Sequence, residues 1–293
     1  MTVSPAKLQA QLRAGAEAEA GNLPALVLSA ERLAAMIAPG AHGLRRAGPG
    51  EDFWQYRPAT AGDTARSIDW RRSARSDAQF VRDREAQTAQ AAIIWASAGQ
   101  GMSYRGADRR PTKRARAQLL ALALGMVLLR GGERVGLAGQ PARNGRMQGD
   151  RMAEGLALQL DADADTDQPP LDALRPNQRV VLISDFLGDP AWITDYLARA
   201  TALGVRGALL QVLDPDEEVF PFDGAVLFRS VTGRISHDTR DAGGLRAAYL
   251  ARLTERRDLM RQAAGSAGWH LGTHDTAAPP ANALMWLFQV LGG

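Results

Sequence analysis

The chain has no cysteine. That excludes a disulfide framework and any thiolate metal site, and it fits a reducing compartment. It also lacks any run of about 18 apolar residues, so no membrane span is expected. The opening stretch MTVSPAKLQAQLRAGAEAEAG has no apolar core of signal-peptide type. These absences together point to a cytoplasmic protein. Strong charge of one sign is missing too. The net charge is only +3 and the basic set is almost wholly arginine, although the pI is near 9.7. A balance that mild gives no argument for nucleic acid.

What is present describes a globular protein. The chain is 45% hydrophobic and 23% charged, outside the range of disordered segments. Its 293 residues can bury one large core, or one core and a smaller unit.

Ala6 to Ala20 and Pro24 to Ile37 read as two helices, with Pro24 suited to a first helical turn. They form an N-terminal helical arm, residues 1–45, that packs on the main domain or docks a partner. The Gly- and Pro-bearing stretch from Gly40 to Gly50 reads as a linker. Further on, apolar runs alternate with helical patterns. Ala91 to Ala96, Arg179 to Ser184 and Gly207 to Leu213 read as fully buried strands. Shorter strands are expected at Arg134 to Ala138, Ala225 to Val231 (turning back at Gly233) and Trp269 to Thr273. Helices are expected over Thr112 to Arg130, Asp150 to Leu160, Pro190 to Leu203, Leu245 to Ala264 and Ala281 to Leu291. The alternation implies an α/β fold around a mostly parallel sheet, occupying residues 89–293. Ligands in such folds sit beyond the carboxyl ends of the strands. The loops that matter are therefore Ser97 to Met102 and Asp185 to Asp189.

Between arm and sheet, residues 46–88 hold the densest patch of unusual residues. Gly50 to Glu85 contains Phe53, Trp54, Tyr56, Trp70 and Phe80 among carboxylates and a series of arginines. Neither helical nor strand periodicity fits it, and Pro58, Gly62 and Asp63 punctuate it as turns would. The stretch reads as an irregular Arg/Trp-rich insert. In it Asp63, Arg66, Asp69, Arg71 and Arg75 would form a charge and hydrogen-bond network over Trp54, Tyr56 and Trp70, and Arg57 belongs to the same candidate interaction set. That network either holds the insert in place or offers a rigid surface to a partner.

Gly62-Asp63, Arg66, Ile68-Asp69-Trp70-Arg71 and Ser73-Ala74-Arg75 match, in order, the signature of the bacterial domain of unknown function 58 family, which this chain therefore resembles. The resemblance implies a von Willebrand factor A-like domain: a doubly wound, mostly parallel sheet with helices on both faces. Such domains carry a metal-ion-dependent adhesion site, D-x-S-x-S after the first strand with an aspartate after a later one. Hard dications such as magnesium favour these oxygens. Aligned on Met102, the motif falls on Ser97, Gly99 and Gly101, and the later aspartate on Asp185. No Asp or Glu lies between Ala89 and Met102, and the middle loop offers Asn144, Gln148 and Asp150 but no threonine. The site is degenerate, and neither magnesium nor another cofactor is expected. Asp185 instead would cap the helix near Pro190 or meet an arginine of the signature.

Other motifs are weaker. Asp161 to Pro170, DADADTDQPP, lacks the glycine and final glutamate of a calcium loop. His270, His274 and Asp275 have no common helical face for zinc. Ser184 lacks the context of a hydrolase elbow. The basic run Arg105 to Arg116 reads as a solvated start to a helix, or as a seat for phosphate or an acidic partner. The resemblance implies a non-enzymatic interaction module acting with a MoxR-type AAA+ ATPase in folding or assembly of other proteins. The alternatives are a magnesium-dependent ligand-binding A domain and an uncharacterised hydrolase.

Overall fold

The computed structural model describes residues 24–37, 45–47, 53–60, 68–74, 79–87, 91–159, 167–229 and 236–292. The chain divides into two compact units, residues 41–90 and the remainder on either side of them.

The larger unit is built on a five-stranded sheet. Its strands are β4 (Ala91–Ala96), β5 (Arg134–Leu137), β6 (Arg179–Ser184), β7 (Arg206–Leu213) and β10 (His270–Asp275). β1 to β3 belong to the smaller unit described below. The order across the sheet is β10-β7-β6-β4-β5, and every pairing is parallel. Val180 to Ile183 show why these runs become central strands. Alternate side chains face opposite sides, and both sides are covered, so all four of these positions are apolar. Val181 and Ile183 join one apolar cluster, with Ile94, Leu210 and Val212. Val180 and Leu182 join the other, with Trp95 and Leu209.

The first face is covered by α1 (24–35), α3 (Lys113–Arg130), α4 (Met147–Ala157) and α8 (Pro280–Gly292). These contribute Leu33, Leu120, Leu124, Met152, Leu284 and Leu287 among others. The opposite face is covered by α5 (Ala191–Ala202) and α7 (Arg246–Ser266), through Ile193, Tyr196, Leu197 and Met260. Helices on both faces of a parallel sheet make the doubly wound α/β fold. α1 contributes Ala30, Leu33, Ala34 and Ile37 to the same core as α3, so the described helix of the N-terminal arm is part of the main domain. The helix expected over Ala6 to Ala20 lies outside the described residues.

β4 and β6 are neighbours, but the chain leaves β4 for β5 on one side and then crosses to β6 on the other. The order of winding reverses between these two strands. Loops following them diverge to opposite faces and leave a crevice at the carboxyl end, where doubly wound folds place ligands. A short helix, α6 (Pro215–Val219), follows β7, and a two-stranded ribbon of β8 (Val226–Arg229) and β9 (Ser236–Thr239) follows that.

The smaller unit is more regular than the sequence suggests. β2 (Phe53–Pro58) and β3 (Phe80–Gln87) pair antiparallel with an irregularity between Phe53 and Gln55. β1 (Arg45–Ala47), in the stretch expected to be a linker, pairs with the far end of β3. The four-residue α2 (Trp70–Ser73) lies between β2 and β3 in sequence. The expectation of an irregular insert is therefore corrected: backbone pairing, not apolar alternation, organises it.

Candidate functional site

Four residues picked out by sequence, Ser97, Gly99, Gly101 and Asp185, line a single cleft at the switch point between β4 and β6. Its volume is about 380 Å³, and Asp167, Phe186, Leu187, Asp189 and Trp192 complete its walls. The aromatic side rests on Trp95, whose ring meets Trp192 edge to face at 5.7 Å. Phe186, at the turn out of β6, has φ +52°, a left-handed conformation that a bulky side chain adopts only under local constraint.

Each carboxylate of the cleft is committed to a neighbour. Asp167 accepts a hydrogen bond from the Ser97 hydroxyl, and its second oxygen accepts from the Ala98 amide at 3.1 Å. Burial pushes the Asp167 carboxyl above its usual range, although these bonds pull the other way. Asp185 accepts from the Leu187 amide at 3.1 Å through Oδ1. Its Oδ2 accepts from the Lys113 ammonium at 2.8 Å. Asp189 accepts from the Ala191 amide and so caps α5.

Lys113 is the centre of this arrangement. It sits in the first turn of α3, after the cap that Thr112 makes by accepting from the Ala115 amide. The side chain is 1% exposed, and its Nζ meets Glu217 Oε1 of α6 at 2.6 Å as well as Asp185. Burial alone would pull the ammonium pKa down; the carboxylates of Asp185 and Glu217 outweigh it and hold it above the ordinary value. The Tyr104 ring lies 5.8 Å away, and burial with nearby Asp216 and Asp214 pushes its hydroxyl up to about 12.

Arg110, Arg114 and Arg116 of the basic run also turn inward, while Arg105 and Arg109 stay exposed. Arg110 bridges Asp216 at 2.9 Å and Asp214 at 3.2 Å. Arg114 donates to the Ala98 carbonyl and the Ser103 hydroxyl. Arg116 is buried and donates to the Thr276 and Ala278 carbonyls at 2.8 Å and 2.6 Å. Its other partner is His274 Nε2 at 2.9 Å. The solvated helix start expected here is corrected. The parallel sheet leaves carbonyls and carboxylates at its carboxyl end, and this run neutralises them. Asp214 is likewise fully buried, accepting from the Thr276 hydroxyl and the Asp216 amide.

The placement of other sequence candidates follows. Among the described residues the cation at Asp185 is Lys113, and its Oδ1 accepts from the Leu187 amide rather than capping the helix near Pro190. Gln148 is buried and donates to the Val135 carbonyl, away from the cleft. Ser184 accepts from the Phe186 amide, while His274 is held by Arg116 on a strand whose His270 is exposed. Burial and Arg116 lower the His274 pKa to about 4. In the signature, Asp69 caps α2 by accepting from the Arg72 amide and receives the Tyr56 hydroxyl at 3.2 Å. Trp70 is 57% exposed and does not pack beneath a network as expected; Arg71 is exposed as well. Trp54 and Arg57 lie on β2 with side chains outside the description, and Asp63, Arg66 and Arg75 lie outside the described residues.

A family described as protein of unknown function DUF58 has a model that matches residues 55–258. The chain belongs to that family. The match spans both the signature unit and most of the parallel sheet, including every cleft residue named above. The chain is 28% identical over 238 residues to the uncharacterized protein Rv1480 of Mycobacterium tuberculosis and to its counterpart Mb1516 of Mycobacterium bovis. In each case 74% of this chain and 73% of the relative are covered. Among solved structures, an aerotolerance-related membrane protein from Bacteroides fragilis superposes with TM-score 0.39 at 16% identity, over 69% of this chain and 98% of that one. BatB from Bacteroides thetaiotaomicron gives TM-score 0.39 at 14% identity with the same coverage.

The donor set at the DUF58 cleft does not suit the dication that an A-domain site implies. Two hydroxyl positions are glycine. A Cβ on Gly101 would stand 3.1 Å from Asp185 Oδ2, and one on Gly99 would stand 2.5 Å from Asp167 Oδ2. The carboxylates thus approach the backbone where hydroxyls would otherwise reach them. The oxygen of Asp185 best placed for an ion already holds Lys113. Sequence reasoning missed Lys113, Asp167 and Glu217. The signal that could have found Lys113 was its rarity, since it and Lys7 are the only lysines in the chain.

Proposed function

We propose that this DUF58 protein is a non-enzymatic protein-interaction module that uses the crevice between β4 and β6 to engage a partner. One observation carries the reading: every carboxylate that lines the crevice among the described residues is already hydrogen-bonded within the chain. A general base needs a free carboxylate or imidazole beside the group it deprotonates. The side chains here are arranged instead as a pre-formed wall, with Trp192 and Leu187 presenting apolar surface beside them. Leu187 is 37% exposed.

The partner we propose is a MoxR-type AAA+ ATPase, with folding or assembly of other proteins as the outcome; the family resemblance supports this. We also place the protein in the cytoplasm. No helix among the described residues is long and apolar enough to cross a membrane. The signature unit, with Tyr56, Asp69, Trp70 and Arg71, is proposed as a second recognition surface, supported by the exposure of Trp70.

The test is a calorimetric titration of the full chain with the purified MoxR-type ATPase from the same organism, with ATPase rates followed in parallel. Saturable binding that Leu187→Asp weakens at least tenfold is the expected result. No heat and no change in ATPase rate overturn the partnership. Turnover of generic ester or phosphate substrates, abolished by Asp167→Asn, would make the hydrolase reading correct instead.

A further inference from the structure

We propose that Lys113 is the resident cation of the site, an ammonium held where the strand ends would otherwise need an external ion, and that its removal turns this place into a divalent-cation site. The inference stands independently of the ATPase partnership.

Three observations carry it. The first is geometry. Asp185 directly follows β6 and Glu217 lies in α6, just beyond β7. Their oxygens converge on one Nζ at 2.8 Å and 2.6 Å, so the lysine ties together the ends of two adjacent strands. Gln211 reinforces the same junction by donating to the Asp185 carbonyl at 2.8 Å. Two carboxylates brought this close cannot both stay ionised without a positive charge between them.

The second is burial. Lys113 is 1% exposed, while the side chains of Asp185 and Glu217 are 14% and 15% exposed. The charge is shielded from water and is not a surface pair.

The third is composition. Of 35 basic residues only Lys7 and Lys113 are lysine, so the chain uses arginine almost everywhere a cation will serve. An ammonium is a compact point charge whose donors radiate from one atom; a guanidinium is a flat fork several ångströms across. Here both oxygens meet a single Nζ, at 2.8 Å and 2.6 Å, closer than the 2.9 Å and 3.2 Å at which Arg110 bridges Asp216 and Asp214. The retained lysine marks a place where the cation acts as an ion-sized sphere.

Without its side chain, the position would leave two carboxylates facing a small void beside the cleft. Magnesium and manganese bind such oxygens and keep water in their remaining positions.

The experiment uses the full chain, uniformly unlabelled except for ¹⁵N-lysine. The wild type has two ammonium signals at most, and that of Lys113 is expected to persist at neutral pH and to shift in Asp185→Asn. Added manganese is expected to leave it sharp. Manganese and EDTA are expected to give the same melting temperature. In Lys113→Ala the melting temperature is expected to fall in EDTA and to recover with manganese or magnesium, with one manganese bound per chain. The doubly substituted Lys113→Ala, Asp185→Asn protein is expected to lose that recovery. Broadening of the wild-type Lys113 signal by stoichiometric manganese overturns the proposal. So does a Lys113→Ala protein that gains no metal response. If that variant does not fold in EDTA, refolding with and without manganese decides the matter: recovery of the folded state only with metal supports the proposal, and failure with both overturns it. Lys113→Arg gives a further check, since it keeps the charge yet is expected to melt well below the wild type; an unchanged melting temperature contradicts the requirement for a compact cation.

Discussion

Two arginine-rich stretches of this chain look alike in sequence and differ in what their cations do. In the signature unit, Arg71 and Arg72 of α2 are exposed; Arg72 lies over the Tyr56 ring at 4.2 Å. In the run from Arg105 to Arg116, Arg110, Lys113, Arg114 and Arg116 turn inward onto named carboxylates and carbonyls. The difference comes from what each stretch meets. An antiparallel pair such as β2 and β3 satisfies its backbone along its own ladder. A parallel sheet ends in carbonyls and acidic turns on one side, and those groups need positive charge. Composition alone cannot distinguish the two cases; the position of a stretch relative to a sheet's carboxyl end does.

The comparison can be broken at several points. Lys113→Met should show the largest effect, a loss of about 3–5 kcal/mol, because it strands two partly buried carboxylates. Urea unfolding with EDTA present checks it, and a loss below about 1 kcal/mol would place Lys113 with the surface cations.

His274 comes next. Its folded pKa of about 4 lies below the ordinary 6.5, so between these values the unfolded chain takes up a proton that the folded chain refuses. Stability from this group is complete above about pH 6.5 and declines as pH falls towards about 4, by about 3 kcal/mol in all. Asp167 works in the opposite direction, because its raised pKa favours the folded state as pH falls. The His274 contribution is therefore read as the difference between wild type and His274→Gln across that range. A parallel pH dependence of the two proteins would remove His274 from the account.

Arg116→Leu should cost about 2 kcal/mol, leaving the Thr276 and Ala278 carbonyls without their donor in a buried setting. Chemical denaturation measures this too, and the slope with denaturant should stay unchanged. The smallest effect belongs to the signature: Arg72→Ala removes an exposed cation–π contact worth about 0.5–1 kcal/mol. If Arg72→Ala proved as damaging as Arg116→Leu, the contrast between the stretches would collapse.

The sheet was legible in sequence because parallel strands covered on both faces must be continuous apolar runs, and Ala91 to Ala96 and Val180 to Ile183 are such runs. α3 was legible from its long apolar face and the Gly131-Gly132 stop. The cleft was half legible. Ser97, Gly99, Gly101 and Asp185 could be placed because they directly follow strands. Asp167, 70 residues from its partner Ser97, and Glu217, 104 residues from Lys113, could not. Nothing in the local pattern says which distant carboxylate a buried cation will meet. β2 and β3 escaped for another reason: the run from Val81 to Glu85 shows no apolar alternation, so its pairing is set by backbone hydrogen bonds that leave no periodic trace.

α1 contributes to the core shared by α3 and α8, yet it precedes the signature unit in the chain. In chain order, residues 41–90 are thus inserted between two parts of one folded body. A single cut inside that segment would leave both fragments bound through Leu33 and Ile37, as a split protein does. Shortening or lengthening the loop would change the closing entropy only slightly, about 0.6 kcal/mol per doubling. By this entropy alone, a change in the length of the inserted segment leaves the strand-end lattice around Lys113 little affected.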